Sequence, residues 1–107
     1  MTDVQIRSKD LELIASGHAG GGEAGKDIVC AGISAITQTL LDTLIEDEDE
    51  DKLWVEWEIW PKDGVIWIKA HPKAEHRKET EAYYRMAGIG LKAIAENYPG
   101  NIRIKEV

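Results

Sequence analysis

His18 and Cys30 are the two side chains whose types and spacing point most directly to chemistry, and Cys30 is the only cysteine in the chain. A thiol is a useful nucleophile only when something stabilises its thiolate, and two such devices converge here. The apolar stretch from Ile28 predicts a helix with Asp27 as its N-cap, the carboxylate accepting the backbone N–H of Val29 or Cys30. Cys30 then stands in the first helical turn, where unpaired N–H groups and the helix dipole favour a negative sulfur. Such a position lowers a thiol pKa from ~8.5 towards neutrality, the more so beside an imidazolium. His18 ends a predicted strand and is joined to the cysteine by a glycine-rich loop. It could act as general base and then return the proton to a leaving amine. Ser34 follows Cys30 by one turn on the same helical face, within reach of the histidine or the loop. The free N–H groups of the helix start could hold the oxyanion of an attacked acyl carbon. Gly20, Gly21, Gly22 and Gly25 offer a backbone able to close over a peptide.

Rival readings of the segment are weaker. A lone cysteine is commonly a small buried hydrophobe, and glycine runs are commonly loops. Glycines before a helix also suit a phosphate, but the P-loop ending is missing and Asp27 would repel the anion. His71 and His76 stand five residues apart with no cluster of ligands around them, so no metal and no cofactor is expected. Both histidines read as surface residues near a turn.

The elements that must position this segment follow from periodicity. Val4 to Arg7 and Leu11 to Ser16 alternate as two short strands about a turn at Ser8-Lys9-Asp10. A helix runs from about Ile28 to about Leu44, with Val29, Ile33, Ile36, Leu40 and Leu44 as its main stripe, widened by Ala31, Thr37 and Leu41. The acidic run Glu46 to Asp51 reads as a solvated loop, since six acids repel one another and oppose the helix dipole. Leu53 to Trp60 alternates cleanly. Pro61-Lys62-Asp63-Gly64 is a turn, and Val65 to Ala70 returns with Ile66, Ile68 and Ala70 towards the core. A second helix spans about Thr80 to Asn97, with Tyr83, Met86, Ala87, Gly90, Leu91, Ile94 and Tyr98 near its inner face. Tyr98-Pro99-Gly100 stops it, and Ile102 to Val107 is a last strand. The order β-β-α-β-β-α-β predicts one α+β domain over residues 1–107, a mainly antiparallel sheet of about five short strands with both helices on one face.

Four tryptophans need places in that sheet. Trp57 shares a strand face with Leu53, Val55 and Ile59 and is expected in the core. Trp54, Trp60 and Trp67 fall on the opposite face, where clustered aromatics mark a homodimer contact or, second, a peptide groove.

Composition excludes several function classes. The 107 residues are 43% hydrophobic and 31% charged, enough for one domain with its own core. One cysteine makes no internal disulfide, no leader is evident and no apolar run reaches membrane length, so a reducing cytoplasmic setting is expected. A net charge of −7 argues against direct nucleic-acid binding. It leaves room for a competing reading, a non-catalytic acidic interaction domain that binds a basic protein partner.

Gly17-His18, then Gly25-Lys26-Asp27-Ile28-Val29-Cys30-Ala31 and Ser34, resemble the signature of the ribosomal-processing cysteine protease (Prp) family. Gly90-Leu91-Lys92, Ala95-Glu96-Asn97-Tyr98-Pro99 and Ile102 are similar to that family's closing helix and strand. The resemblance implies a small bacterial α+β endopeptidase, usually a homodimer. Its expected substrate is a protein of the large ribosomal subunit, from which it removes a short N-terminal extension. Phage-related members process capsid or scaffold proteins. Carried over by position, His18 and Cys30 match the catalytic pair, Asp27 and Ser34 the supporting polar positions, and Gly17 and Gly25 the loop hinges.

Overall fold

The periodicities resolve into five strands and two long helices in the computed structural model, which describes residues 1–17 and 28–107. The strands are β1 (Thr2–Arg7), β2 (Glu12–Ser16), β3 (Leu53–Trp60), β4 (Val65–Pro72) and β5 (Ile102–Glu106). The helices are α1 (Ile28–Asp49) and α2 (Arg77–Asn97), the second entered through a 3-10 turn at Ala74–His76. The sheet order is β3-β4-β2-β1-β5. Its pairs are antiparallel except β1 with β5, which run parallel with Val4 opposite Ile104. That pair makes a mixed sheet of the expected α+β order, because β5 arrives from a crossover helix rather than a hairpin.

Period-two alternation puts one face of every strand under the helices. Val4, Ile6, Leu13, Ala15, Leu53, Val55, Ile68, Ala70 and Ile102 are buried there. From α1 come Val29, Ile33, Leu40, Leu41 and Leu44, and from α2 Tyr84, Ala87 and Leu91. The helices touch where each offers a glycine to the other's isoleucine. A Cβ on Gly32 would stand 3.1 Å from Ile94 Cδ1, and one on Gly90 would stand 2.9 Å from Ile36 Cδ1. By length and a mean hydropathy of 1.6, α1 matches a membrane span, contrary to the expectation from sequence. Its buried residues lie on one side, the pattern of a helix that packs one face on a sheet and leaves the other exposed, not of a central buried helix.

Several expectations need correction. The acidic run is not a loop: α1 continues through it to Asp49. Like charges at a helix C-terminus are unfavourable, but here individual acids have partners. Asp47 Oδ2 accepts the Tyr83 hydroxyl at 2.8 Å, and Glu48 Oε2 accepts the Val55 N–H at 2.8 Å. Glu50 pairs with Lys52 at 3.1 Å and Asp51 with Lys73 at 2.7 Å. Asp51 itself leaves the helix with φ of 61°, a left-handed conformation that aspartate tolerates better than most residues.

The inner face of α2 holds Ala87 and Leu91 as expected, with Tyr83, Gly90 and Ile94 half-buried beside it, but not Met86 or Tyr98. Thr80, Tyr84, Ala87, Gly88 and Leu91 are buried, while Met86 is 73% exposed. Leu11 belongs to the turn before β2, buried at φ of 53°. His71 lies within β4, stacked on Trp54 with ring centroids 3.9 Å apart and bonded to Glu56 at 2.8 Å.

Trp57 is not core. It lies 47% exposed and Ile59 39% exposed, on the same face as buried Leu53 and Val55. The helix layer covers the start of this edge strand and not its end. Trp54 and Trp60 are exposed on the open face, while Trp67 is half-buried with its indole N–H donating to Glu12 at 2.7 Å.

Candidate active site

The first turn of α1 places Cys30 at one end of the sheet. Val29 points into the core and is 2% exposed, whereas Cys30, the next residue round the helix, is only half-buried. That offset of one residue lets the thiol line a cleft of about 320 Å³. One wall is the face of α1 bearing Cys30, Ser34, Thr37 and Gln38. The other comes from the ends of the strands: Thr2, Ala15, Gly17, Ile59, Pro61 and Val65.

Ser34 falls where the helical spacing puts it, one turn beyond Cys30 on the cleft wall. Its carbonyl accepts the Thr37 hydroxyl at 3.3 Å, a second bond for a hydroxyl whose shorter one is to Ile33 O at 2.9 Å. Thr37 thus lines the cleft with its polar group satisfied by its own helix. Sequence periodicity marks Thr37 only as widening the apolar stripe, and it leaves Gln38 unassigned.

Gly17, expected as a hinge, has a physical reason to be glycine. Its φ is 94°, and a Cβ would stand 2.6 Å from the carbonyl oxygen of Met1. Both conditions exclude a side chain. Its N–H donates to Gly64 O at 3.1 Å, tying the end of β2 to the β3–β4 turn. That turn is the predicted Pro61–Gly64 one, with Gly64 N–H on Pro61 O at 3.3 Å and Gly64 at φ of 63°. The residue that precedes His18 is therefore fixed from two sides, although nothing in its sequence neighbourhood shows Met1 or Gly64 nearby. His18, Gly25 and Asp27 lie outside the described residues, as does the whole Ala19 to Ala24 loop.

What the described part can do is clear in outline. A thiol in the first turn of a helix faces a cleft lined by apolar Ile33, Ile59 and Ile66 and by polar Ser34 and Gln38. Among the described residues no group of three or more metal-ligating side chains occurs.

Comparison with known proteins agrees with this chemistry. The family model described as cysteine protease Prp matches residues 1–103. The ribosomal processing cysteine protease Prp of Mycoplasma genitalium is 34% identical over 103 residues, 96% of this chain and 95% of that protein. The crystal structure of an essential ribosomal processing protease Prp from S. aureus, in complex with a covalently linked product peptide, matches with a TM-score of 0.83 and 27% identity, both chains covered in full. The same S. aureus protease in complex with a substrate peptide matches at 0.77 and 26%, again over the full length of both. With a family match over nearly the whole chain and a helix-start thiol lining a cleft, the chain belongs to the Prp family of cysteine proteases and is a hydrolase of that class.

Proposed function

We propose that the chain is an endopeptidase that removes a short N-terminal extension from a protein of the large ribosomal subunit, using Cys30 as nucleophile and His18 as its base. The carrying observation is the half-buried Cys30 in the first turn of α1, facing the cleft. In this mechanism His18 takes the thiol proton and Sγ adds to the scissile carbonyl carbon. The oxyanion so formed is held by N–H groups of the helix start. The C–N bond then breaks, the imidazolium gives its proton to the leaving amine, and a thioester remains on Cys30. Water, deprotonated by the same histidine, hydrolyses it. Asp27 and Ser34 are the polar residues assigned to support the pair, and Gly17 and Gly25 the hinge glycines. The relative from S. aureus whose product peptide is covalently linked supports covalent catalysis.

The test is to incubate the protein with the full-length precursor of a large-subunit ribosomal protein and map new N-termini by mass spectrometry. Appearance of one shortened N-terminus, lost in both Cys30→Ala and His18→Ala, is the expected result. A phage capsid or scaffold precursor offered in parallel separates the second substrate class, and cleavage of that alone would replace the ribosomal reading.

The setting proposed is the bacterial cytoplasm, and the proposed assembly is a homodimer. Trp54 and Trp60, exposed on the open sheet face, are the residues offered for that contact. Trp67 contributes less than its sequence position suggests, because its indole N–H is already bonded to Glu12. Sedimentation of a Trp54→Ala/Trp60→Ala variant as a monomer is the expected outcome, and an unchanged dimer would move the interface elsewhere.

A further inference from the structure

β3 is the edge of the sheet, so one side of its backbone has no neighbouring strand. The parity of that side is fixed by one bond: the Val55 N–H leaves the ladder and donates to Glu48 of α1 at 2.8 Å. In an antiparallel pair every second residue turns both its N–H and its C=O away from the partner strand. Val55 opposite Ala70 is such a residue, and so are Trp57 opposite Ile68 and Ile59 opposite Ile66. The two halves of the edge therefore differ. The first half is capped by a side chain from the acidic run. The second half presents the N–H and C=O of Trp57 and Ile59 outward, and among the described residues no side chain is bonded to them.

This open half carries side chains that select an occupant. Trp57 and Ile59 project, partly exposed, on the helix side, and Ile59 also forms part of the Cys30 cleft. Glu56 and Glu58 project from the other face, and Glu58 is exposed with no ion pair among the described residues. A strand laid beside β3 would set its own side chains alternately against these two rows.

We propose that the distal edge of β3 captures the substrate as an added antiparallel or parallel strand, through the backbone of Trp57 and Ile59. The strand alternates apolar residues facing Trp57 and Ile59 with a Lys or Arg facing Glu58, Glu56 being bonded to His71. The inference rests on the protease reading above and names the recognition element of that same site. Backbone pairing gives affinity without regard to sequence, and the alternating pockets give selectivity. Glu48 sets the register, since its bond to Val55 closes the edge to a strand that slips towards the start of β3.

The experiment uses the full chain with Cys30→Ala, to hold substrate without turnover, and a synthetic peptide spanning the precursor's cleavage site. Amide hydrogen exchange by NMR is read at Trp57 and Ile59 with and without peptide, alongside cleavage by the unsubstituted protein. Slowed exchange at both amides is expected. A peptide N-methylated at one pairing position should lose about fivefold in affinity, the measure of one hydrogen bond. Trp57→Pro removes only an outward N–H, which an edge strand tolerates, and should lose a similar factor, whereas Trp57→Ala keeps the N–H and loses the apolar contact alone. Cleavage with no change in exchange, and no effect of N-methylation, overturns the edge proposal and leaves the protease reading intact. Slowed exchange without cleavage supports the edge proposal and overturns the protease reading. Slowing that depends on protein concentration in the absence of peptide assigns the edge to a second copy and overturns the proposal.

Discussion

The two ends of α1 are one helix put to opposite uses. At its start the chain leaves Cys30, the side chain proposed as nucleophile, half-buried beside a cleft. At its end it gathers acids that look reactive and ties them into the fold, Asp47 to Tyr83 and Glu48 to the Val55 backbone. By sequence the acidic end is the louder feature. The structure teaches that a charged run can be structural carpentry, while a single thiol one residue off the buried stripe is left facing a cleft.

The contrast predicts that substitutions at the first end change activity and those at the second change stability. The largest effect belongs to Cys30→Ala, which should lower peptide cleavage by about a thousandfold or more while leaving the thermal midpoint nearly unchanged. A large drop in the midpoint would break the contrast. Gly17→Ala sits at the same end but touches both properties. Positive φ and a Cβ 2.6 Å from Met1 O should cost about 2 kcal/mol or more in denaturant unfolding, with activity falling alongside.

At the other end, Asp47→Ala leaves the Tyr83 hydroxyl without its acceptor and should cost about 1–2 kcal/mol, with kcat/KM for the peptide unchanged. Asp47→Asn, which keeps an acceptor, should recover part of that loss. The smallest effect is a pH dependence. Tyr83 is raised above the usual tyrosine value, first by its bond to Asp47 and then by burial. Buried Tyr84 is raised too, chiefly by desolvation. Groups raised in the folded state lend stability below the unfolded value of 10.0 and lose it as pH rises through the folded one. Unfolding midpoints should therefore fall above that pH. Tyr83→Phe should make the fall shallower, Tyr84 supplying what remains.

Much of this was legible from residue order alone. The element sequence, the Pro61–Gly64 turn and the core faces of β4 and α1 follow from local periodicity, which the fold obeys. The exposed Trp57 was not, because alternation tells which face a side chain takes and not whether anything covers that face. The helical course of the acidic run was hidden for a related reason. Its partners Tyr83, Val55 and Lys73 are distant in sequence, and dipole repulsion is all that local reading sees. Of the site, the helix-start cysteine and Ser34 were readable from spacing. Thr2, Gly17 and Ile59 meet there only through the sheet.

The parallel pairing of β1 with β5 has a consequence for timing. Thr2, a wall of the cleft, donates its N–H to Asn101 O at 2.9 Å and sits opposite Ile102. One wall residue of the cleft is thus held by a strand partner a hundred positions away, a long loop to close. On a ribosome the first strand must wait, one side unpaired, until the last one has been made. The wall that Thr2 lends the cleft is therefore held on one side by β2, early in the chain, and gains its second support only when β5 docks beside β1.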